Sequence, residues 1–290
     1  MKVVWWSVIT HRSLSIWIFS RPYGSTNAQK QEVLGEFMSG ELSTRLERLL
    51  PNGRGVWIPM DHGLSGYPED GLNRMNEVVD AIIAGGADAI VCQKGVLTEQ
   101  SVRTGWDGFV CHVSASTAHG GCNSQSKVKV ANASEAKSRG ATAVSGQINL
   151  GDEQEPQMLI DMGLLTTEAY AENMPVLGMV YPRGPNLVTL PNDITGGVAH
   201  AARVAYELGC HAVKVPWTGN AESFRKVCEA VPIPVLISGG PKGGDFAETL
   251  EVVRYAIAAG GAGVCMGRQV FGAKDPATCI RQLREIIHGA

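Results

Sequence analysis

Short apolar runs and helical patterns alternate along most of the chain. Eight apolar runs predict strands, at 55–60, 88–93, 108–114, 142–149, 175–181, 211–216, 234–238 and 261–266. Apolar residues recur at helical spacing over 43–50, 70–85, 97–104, 133–139, 153–173, 194–209, 220–230, 245–259 and 275–288. The predicted strands are apolar almost throughout, which is typical of parallel strands that helices cover on the outer face.

A phrase that contains glycine closes several of the predicted helices just before the next strand. It reads Ala-Gly-Gly-Ala at 84–87 and 259–262, Ser-Arg-Gly-Ala at 138–141 and Glu-Leu-Gly-Cys at 207–210. Because glycine commonly ends a helix, the recurrence indicates a repeated strand–helix unit. Eight such units predict an α/β protein with one closed (β/α)8 TIM barrel. The alternative is a doubly wound open sheet, although no GxGxxG motif follows the first strand.

The first 37 residues differ from the rest of the chain. They hold three of the six tryptophans, and His11, Arg12 and Arg21 interrupt their apolar runs. The segment therefore lacks the continuous apolar core of a signal peptide. We expect 1–37 to be a poorly ordered extension that takes no part in the chemistry. A short N-terminal helix and the barrel are expected to occupy 38–290.

Composition and cysteine usage narrow the function. Charged residues make up 18% of the chain and the formal net charge is −3, so we expect no nucleic-acid surface. No apolar run reaches the length of a membrane-spanning helix. The seven cysteines form no CxxC pair and are expected to be free thiols in a reducing compartment, the cytoplasm. No cluster has metal-ligand spacing, so we expect chemistry on a small molecule without metal or cofactor.

A lysine interrupts the sixth predicted strand, His-Ala-Val-Lys-Val-Pro-Trp-Thr-Gly at 211–219. Burial disfavours an ammonium group and lowers its pKa, and an uncharged amine can form a Schiff base with a carbonyl substrate. Lys214 is therefore a candidate catalytic amine. A lysine that reaches from a strand end into water is the alternative, and Lys94, which follows the second strand, is a rival for the role.

Polar residues also follow other predicted strands. Since the active site of a (β/α)8 barrel forms at the carboxyl ends of its strands, Asp61 is a candidate acid or base and the adjacent His62 a candidate substrate ligand. Tyr181 is a candidate proton carrier, Arg183 a candidate anion ligand, and His112 a possible hydrogen-bonding partner of the substrate. A tyrosine at this position can equally be a packing residue.

Glycine-rich turns follow the last two strands. Gly239-Gly240 and Gly267-Arg268 offer bare N–H groups and a cation where barrels bind phosphate. With Lys214, Tyr181 and Asp61, they describe an enzyme that acts on a phosphorylated carbonyl compound.

These motifs together resemble the archaeal-type class I aldolases of the DeoC/LacD superfamily, from about residue 42 to the C-terminus. In the family's order they are PMDHG at 59–63, YPRG at 181–184, KVPWTG at 214–219, SGGPK at 238–242 and GRQVF at 267–271. The resemblance implies that Lys214 forms the Schiff base, that Tyr181 transfers protons and that Asp61 is catalytic. It also implies phosphate binding by Gly239, Gly240, Gly267 and Arg268.

Within this family, the sequence resembles enzymes of two different activities. Met60 and Met179-Val180 resemble the branch of the 2-amino-3,7-dideoxy-D-threo-hept-6-ulosonate synthases, in which a phosphorylated ketose donates three carbons to aspartate semialdehyde. The alternative is a class I fructose-1,6-bisphosphate aldolase, which forms two triose phosphates. Trp217 and Asn220 stand where the family usually has tyrosine and aspartate, which we expect to affect the acceptor aldehyde.

Two alternatives come from other classes: a non-catalytic barrel that binds a sugar phosphate, and a metal-dependent aldolase. The family also tends to form ring-like homo-oligomers. The expected partners are therefore a phosphorylated ketose or triose phosphate and further copies of this chain, with no nucleic acid and no membrane.

Overall fold

The computed structural model describes residues 40–188, 193–239 and 245–289. The predicted extension over 1–37 and the predicted phosphate ligand Gly240 lie outside these ranges.

The strands form a closed parallel barrel and one small ribbon. They are β1 (Gly55–Pro59), β2 (Ala89–Cys92), β3 (Phe109–His112), β4 (Ser114–Ala115), β5 (Val128–Lys129), β6 (Ala143–Leu150), β7 (Val176–Pro182), β8 (Ala212–Val215), β9 (Val235–Ser238) and β10 (Gly263–Cys265). The barrel closes in the order β1-β10-β9-β8-β7-β6-β3-β2, and each pair is parallel. The predicted TIM barrel is confirmed, and the open-sheet alternative is wrong.

Helices follow the barrel strands as predicted. They are α1 (Gly40–Leu49), α2 (His62–Ser65), α3 (Met75–Gly85), α4 (Lys94–Thr104), α5 (Ala133–Ser138), α6 (Glu155–Ala171), α7 (Thr195–Glu207), α8 (Ala221–Glu229), α9 (Phe246–Ala258), α10 (Arg268–Phe271) and α11 (Pro276–Ile287). The short helices α2 and α10 follow strands directly and were not predicted. Among the described residues, no helix is both long and apolar enough to cross a membrane.

The third predicted strand is interrupted in the structure. β3 ends at His112, and β4 then pairs with β5 as an antiparallel ribbon. A 3-10 segment, Ala118–Gln125, connects the two ribbon strands. This loop brings a part of the chain that has little apolar pattern to the cavity at the carboxyl ends of the strands.

Alternating side chains divide the core into two layers. Along β8, Val213 and Val215 pack with the outer layer of strands and helices, whereas Ala212 packs with the inner layer, as the two-residue period of a strand requires. Leu49 of α1 and Trp57 of β1 belong to the inner layer, and the Trp57 indole donates a hydrogen bond to the Leu49 carbonyl at 2.7 Å. Helix α1 therefore packs against the barrel interior.

Candidate active site

A cavity of about 740 Å³ lies at the carboxyl ends of the barrel strands. All the predicted site residues within the described ranges line it. They are Asp61, His62, Tyr181, Arg183, Lys214, Gly239, Gly267 and Arg268. Residues far apart in sequence meet there because parallel strands deliver their carboxyl ends to one face of the barrel.

Lys214 points into the barrel interior from the middle of β8. Its side chain is only 7% exposed, and its Nζ lies 4.0 Å from the sulfur of Met179, which is its register partner on β7. The Tyr181 hydroxyl and the Cys265 thiol also lie close enough to this amine to influence its ionisation. The amine therefore lies inside the cavity and does not extend from a strand end into bulk water.

The pKa of Lys214 differs from the sequence-based expectation. Burial lowers the pKa of the ammonium, but Cys265, Tyr181 and Asp61 outweigh burial and the net shift is upward. Burial raises the pKa of Cys265 to about 11 and raises that of Tyr181 above its usual 10.0. Both are uncharged at neutral pH, so the Asp61 carboxylate is the anion of this group that favours the ammonium form.

Asp61 follows β1 and faces the cavity with an unpaired oxygen. Its Oδ1 is buried and has no hydrogen-bond partner among the described residues, while His62 Nδ1 and His112 Nε2 each lie 3.9 Å from the carboxylate. Burial raises the pKa of Asp61, but His112, His62 and Lys214 outweigh burial and lower it. At neutral pH the cavity thus holds a carboxylate and an ammonium.

His112 lies behind Asp61 and does not line the cavity. It is 2% exposed, and its Nδ1 is 2.8 Å from the Ser145 hydroxyl. Burial lowers the pKa of His112 to about 4, so its ring is neutral at pH 7. This geometry does not support a direct hydrogen bond from His112 to substrate, because the ring lies beside Asp61 and does not line the cavity.

Lys94, the other candidate for the reactive amine, forms its contacts away from the cavity. Lys94 Nζ donates to the Val130 carbonyl at 2.8 Å and pairs with Glu135 at 3.1 Å. Lys94 is not among the residues that line the cavity. An ammonium held by a carboxylate and a carbonyl is a poor nucleophile, so this geometry disfavours Lys94 as the reactive amine.

Tyr181 and Arg183 are positioned by the end of β7. The Arg183 guanidinium lies 4.6 Å from the centre of the Tyr181 ring, and its Nε donates to Asn149 Oδ1 at 2.9 Å. The chain can turn here because of the glycine in YPRG: a Cβ at Gly184 would lie 1.8 Å from the carbonyl carbon of Gly151. The YPRG motif therefore supplies the Tyr181 and Arg183 side chains and also the glycine that allows the close backbone approach that positions them.

The predicted phosphate residues lie at the ends of β9 and β10. Gly239 follows β9, and Gly267 and Arg268 follow β10. A Cβ at Gly267 would lie 2.1 Å from the carbonyl oxygen of Pro59, so this glycine is also needed for packing against β1. Arg268 is exposed at the cavity wall, where a phosphate could reach it.

Sequence reasoning missed the polar wall formed by β6 and the loop before β5. Gln147 and Lys127 line the cavity, and the Gln147 amide donates to Asn149 at 3.0 Å. Polar residues at every second position of β6, Ser145, Gln147 and Asn149, were a usable signal, because alternate residues of a barrel strand face inward. Lys127 carried no comparable signal, since it follows an irregular polar loop.

The two departures from the family pattern have structural explanations away from the chemistry. The Asn220 side chain accepts a hydrogen bond from the Ser223 amide and caps α8, a role that aspartate fills equally well. The Trp217 ring packs 5.1 Å from Phe224. Neither residue lines the cavity, so the expectation that they affect the acceptor aldehyde is not supported by contact.

Within the described ranges, no group of three or more His, Cys, Asp and Glu side chains is arranged to hold a metal ion.

Comparison with known proteins gives consistent matches. The model of the DeoC/LacD family aldolases matches residues 56–273. 2-Amino-3,7-dideoxy-D-threo-hept-6-ulosonate synthase 1 of Archaeoglobus fulgidus is 37% identical over 246 residues, which cover 84% of this chain and 90% of that protein. The synthase of the same name from Halobacterium salinarum is 34% identical over 246 residues, 85% of this chain and 91% of that one.

Among solved structures, an archaeal fructose-1,6-bisphosphate aldolase with its catalytic lysine bound to the carbinolamine intermediate is similar to this chain. The TM-score is 0.75 at 26% sequence identity, and the match covers 86% of this chain and 100% of that one. The resemblance seen in the motifs is thereby confirmed over most of the chain. This protein is an enzyme of the DeoC/LacD aldolase family.

Proposed function

We propose that this chain is a class I aldolase or transaldolase that acts on a phosphorylated ketose, with Lys214 as the Schiff-base amine. The observation that carries the proposal is the buried Lys214 amine inside the cavity, with Tyr181, Cys265 and the Asp61 carboxylate around it. Condensation of this amine with the carbonyl of a bound substrate would give the Schiff base.

The charge states of Asp61, Lys214 and Tyr181 suggest how the reaction begins. In the resting site Lys214 is an ammonium with the Asp61 carboxylate as its counter-anion; once the ammonium has lost its proton to solvent, the free amine attacks the substrate carbonyl carbon. Tyr181, whose raised pKa keeps it protonated, donates a proton to the carbinolamine oxygen, which leaves as water. The resulting iminium accepts the electron pair of the C–C bond one carbon away as that bond breaks, while the Tyr181 phenolate takes the proton of the hydroxyl on the departing carbon, which leaves an enamine on Lys214 and releases an aldehyde.

The remaining predicted residues orient the substrate in this proposal. Gly239, Gly240, Gly267 and Arg268 hold the donor phosphate through backbone N–H groups and a guanidinium. His62 has a buried Nδ1 without a hydrogen-bond partner among the described residues and lies in the cavity wall, where it can contact the substrate.

The branch proposed is that of 2-amino-3,7-dideoxy-D-threo-hept-6-ulosonate synthase. The two synthases above are 37% and 34% identical to this chain, against 31% for a class 1 fructose-bisphosphate aldolase of Thermoproteus tenax. Met179, which led to this choice from sequence, is the residue in contact with the Lys214 amine. Fructose-1,6-bisphosphate aldolase is the second candidate, favoured by the close match to the carbinolamine structure.

The cellular setting belongs to the same proposal. A homo-oligomer in the cytoplasm is expected, in keeping with the family resemblance and the free cysteines. Light scattering of the purified chain measures the oligomer, and a monomer at micromolar concentration would contradict it.

Borohydride trapping followed by peptide mass mapping tests the function. We expect the adduct of a phosphorylated ketose on the Lys214 peptide. Lys214→Met should abolish it, whereas Lys94→Met, which removes a lysine of the surface ion pair, should leave it in place. Incubation with fructose 1,6-bisphosphate, with and without aspartate semialdehyde, separates the two branches by their products.

Four outcomes would count against the proposal. No adduct with any phosphorylated ketose would contradict the Schiff base, and an adduct on Lys94 would contradict the assignment of the amine. Loss of turnover in a strong chelator would favour the metal-dependent alternative. Tight binding of ketose phosphate without adduct or turnover would favour a non-catalytic barrel.

A further inference from the structure

His112 carries a buried imidazole that the proposed reaction does not use. It is the last residue of β3, at the point where the chain leaves the barrel for β4. Its side chain is 2% exposed and does not line the cavity. Because buried polar atoms are normally held by partners, the surroundings of the two ring nitrogens indicate what this ring does.

Ser145 holds the first nitrogen, Nδ1. The two residues are register partners on the neighbouring strands β3 and β6, and the Val113 amide donates to the Ser145 carbonyl at 2.8 Å. The Ser145 hydroxyl is fully buried and lies 2.8 Å from His112 Nδ1. The backbone of the barrel therefore fixes the distance between the two side chains.

The direction of this hydrogen bond follows from the partners at hand. In the described part of the chain, the Ser145 hydroxyl has no partner other than Nδ1. A buried donor without an acceptor is costly, so the hydroxyl donates to Nδ1. Burial lowers the pKa of His112 to about 4, and a neutral imidazole carries a single proton. That proton is therefore on Nε2.

The second nitrogen, Nε2, faces the carboxylate of Asp61. It lies 3.9 Å from Oδ2, and an N–H group at this place attracts the carboxylate, whereas a lone pair would repel it. The same tautomer is thus favoured from both sides of the ring. The distance is longer than that of a hydrogen bond, but hydrogen bonds of catalytic groups are often long without substrate and shorten in the complex.

The charged and titratable groups around His112 do not protonate its ring. Asp61 raises the pKa of His112, while burial, Lys127, Lys214 and His62 lower it, and burial is the largest of these influences. The contact with Asp61 is therefore that of a neutral donor with an anion, and not an ion pair.

Asp61 is a carboxylate that needs such a donor. Burial raises its pKa, and His112 is the largest of the influences that oppose burial. Its Oδ1 has no hydrogen-bond partner among the described residues, so little else fixes the direction of the group. In the proposed function this carboxylate is the counter-anion of Lys214, so both its charge and its direction matter.

We propose that His112, held in one tautomer by Ser145, is a positioning residue that donates an Nε2–H hydrogen bond to Asp61 when substrate is bound. The hydrogen bond holds the carboxylate toward Lys214 and favours its ionised form. The inference rests on the proposed function, since it acts through Asp61. It assigns a part in the reaction to two buried residues that do not touch the substrate.

Removal of the donor tests the proposal. The substrate is the ketose phosphate that gives a borohydride adduct with the wild-type enzyme, and kcat and KM are measured at neutral pH. His112→Leu should lower kcat about tenfold to about a hundredfold, the range for one hydrogen bond to a charged group. KM should stay within about threefold of wild type, because His112 does not line the cavity.

A conservative variant and a matched control separate positioning from packing. His112→Gln keeps an N–H donor near the place of Nε2 and should restore kcat to within about fivefold of wild type. His211→Gln is the control and should leave kcat unchanged. His211 also has a pKa lowered to about 4 by burial and accepts from the Val176 amide, but it precedes β8 at the amino end of the barrel and does not line the cavity.

Ser145→Ala tests whether the serine acts through the histidine. The ring loses its fixed orientation, so kcat should fall about threefold to about tenfold, the effect of one neutral hydrogen bond. In the His112→Leu background the same change should have no further effect on kcat, because residues that act in series are not additive.

Nitrogen-15 NMR of histidine-labelled protein reads the tautomer without substrate. The His112 signals are those that disappear in His112→Gln, and they should show the proton on Nε2 at neutral pH. A proton on Nδ1, or a doubly protonated ring, would contradict the proposal.

The kinetic results can also overturn it. A kcat of His112→Leu within about threefold of wild type would do so, as would an equal fall in His112→Leu and His112→Gln when urea unfolding shows both to be folded. If His112→Leu does not fold, Ser145→Ala decides, because a wild-type kcat there contradicts the role of the serine. Absence of any wild-type adduct marks failure of the proposed function instead, and the tautomer seen by NMR then decides the placement of His112.

Discussion

At the scale of single residues, the ionisation of Lys214 depends on its neighbours more than on its burial. An amine in an apolar strand is expected to lose its proton, yet the Asp61 carboxylate favours the ammonium form in the folded protein. The proposed reaction therefore needs proton carriers close to the amine. Tyr181 supplies one, because its hydroxyl is protonated at neutral pH and lies beside Lys214.

Tyr181→Phe tests this proton transfer. The substitution keeps the ring that packs against Arg183 but removes the hydroxyl, so we expect kcat to fall by about 10² to about 10⁴, the usual contribution of a positioned acid or base. Steady-state turnover is the measurement. Tyr206→Phe is the control, because Tyr206 also packs under an arginine, Arg203 at 5.4 Å, but outside the cavity. A kcat for Tyr181→Phe within about threefold of wild type would contradict the role.

At the scale of secondary-structure elements, glycine determines how closely the loops at the carboxyl ends approach each other. The end of β7 passes so near the turn after β6 that a side chain at Gly184 would overlap the Gly151 backbone. The position of Arg183 depends on this contact. Packing between these loops thus fixes the position of a side chain that lines the cavity.

Gly184→Ala is expected to destabilise the fold and to reduce activity. The added Cβ forces the YPRG loop away from β6, at a cost of about 1 to 3 kcal/mol in the free energy of unfolding, typical of overpacking. Urea unfolding measures it. Gly163→Ala is the matched control: it lies within α6 with open space around its Cβ position, so alanine should stabilise by about 0.5 to 1 kcal/mol. Equal effects of the two changes would show that the loop contact is unimportant.

At the scale of the whole molecule, stability is coupled to pH through buried histidines. Burial lowers the pKa of His112 and of His211 from 6.5 to about 4. His211 Nδ1 accepts a hydrogen bond from the Val176 amide at 3.1 Å, which requires an unprotonated nitrogen. Below pH 6.5 the unfolded chain takes up protons that the folded chain does not bind until about pH 4.

The free energy of unfolding should therefore fall as the pH drops from 6.5 to about 4, by roughly 1 to 3 kcal/mol for each of these histidines. Urea unfolding across this range gives the slope. His211→Gln should reduce the slope, while His119→Gln, at an exposed position, should not. A slope unaffected by His211→Gln would contradict the assignment.

Several features of this protein could be predicted from its residues alone. The eight strands and the order of the helices follow from apolar periodicity and helix-ending glycines, because burial on both faces demands continuous apolar strands. The site residues after β1, β7, β8, β9 and β10 follow from the rule that barrel loops at carboxyl ends converge. The bounds of β3 did not follow, since the run over 108–114 is apolar whether or not the chain leaves the barrel at His112.

The sequence by itself determined the barrel, the family and eight of the residues that line the cavity, since each depends on local pattern and chain order. Only the tertiary structure decided that Lys214 and Lys127 line the cavity while Lys94 does not, and that Lys214 lies near a carboxylate. These properties depend on distances between strands that are remote in sequence. Electrostatic interactions follow those distances, so no local pattern encodes them.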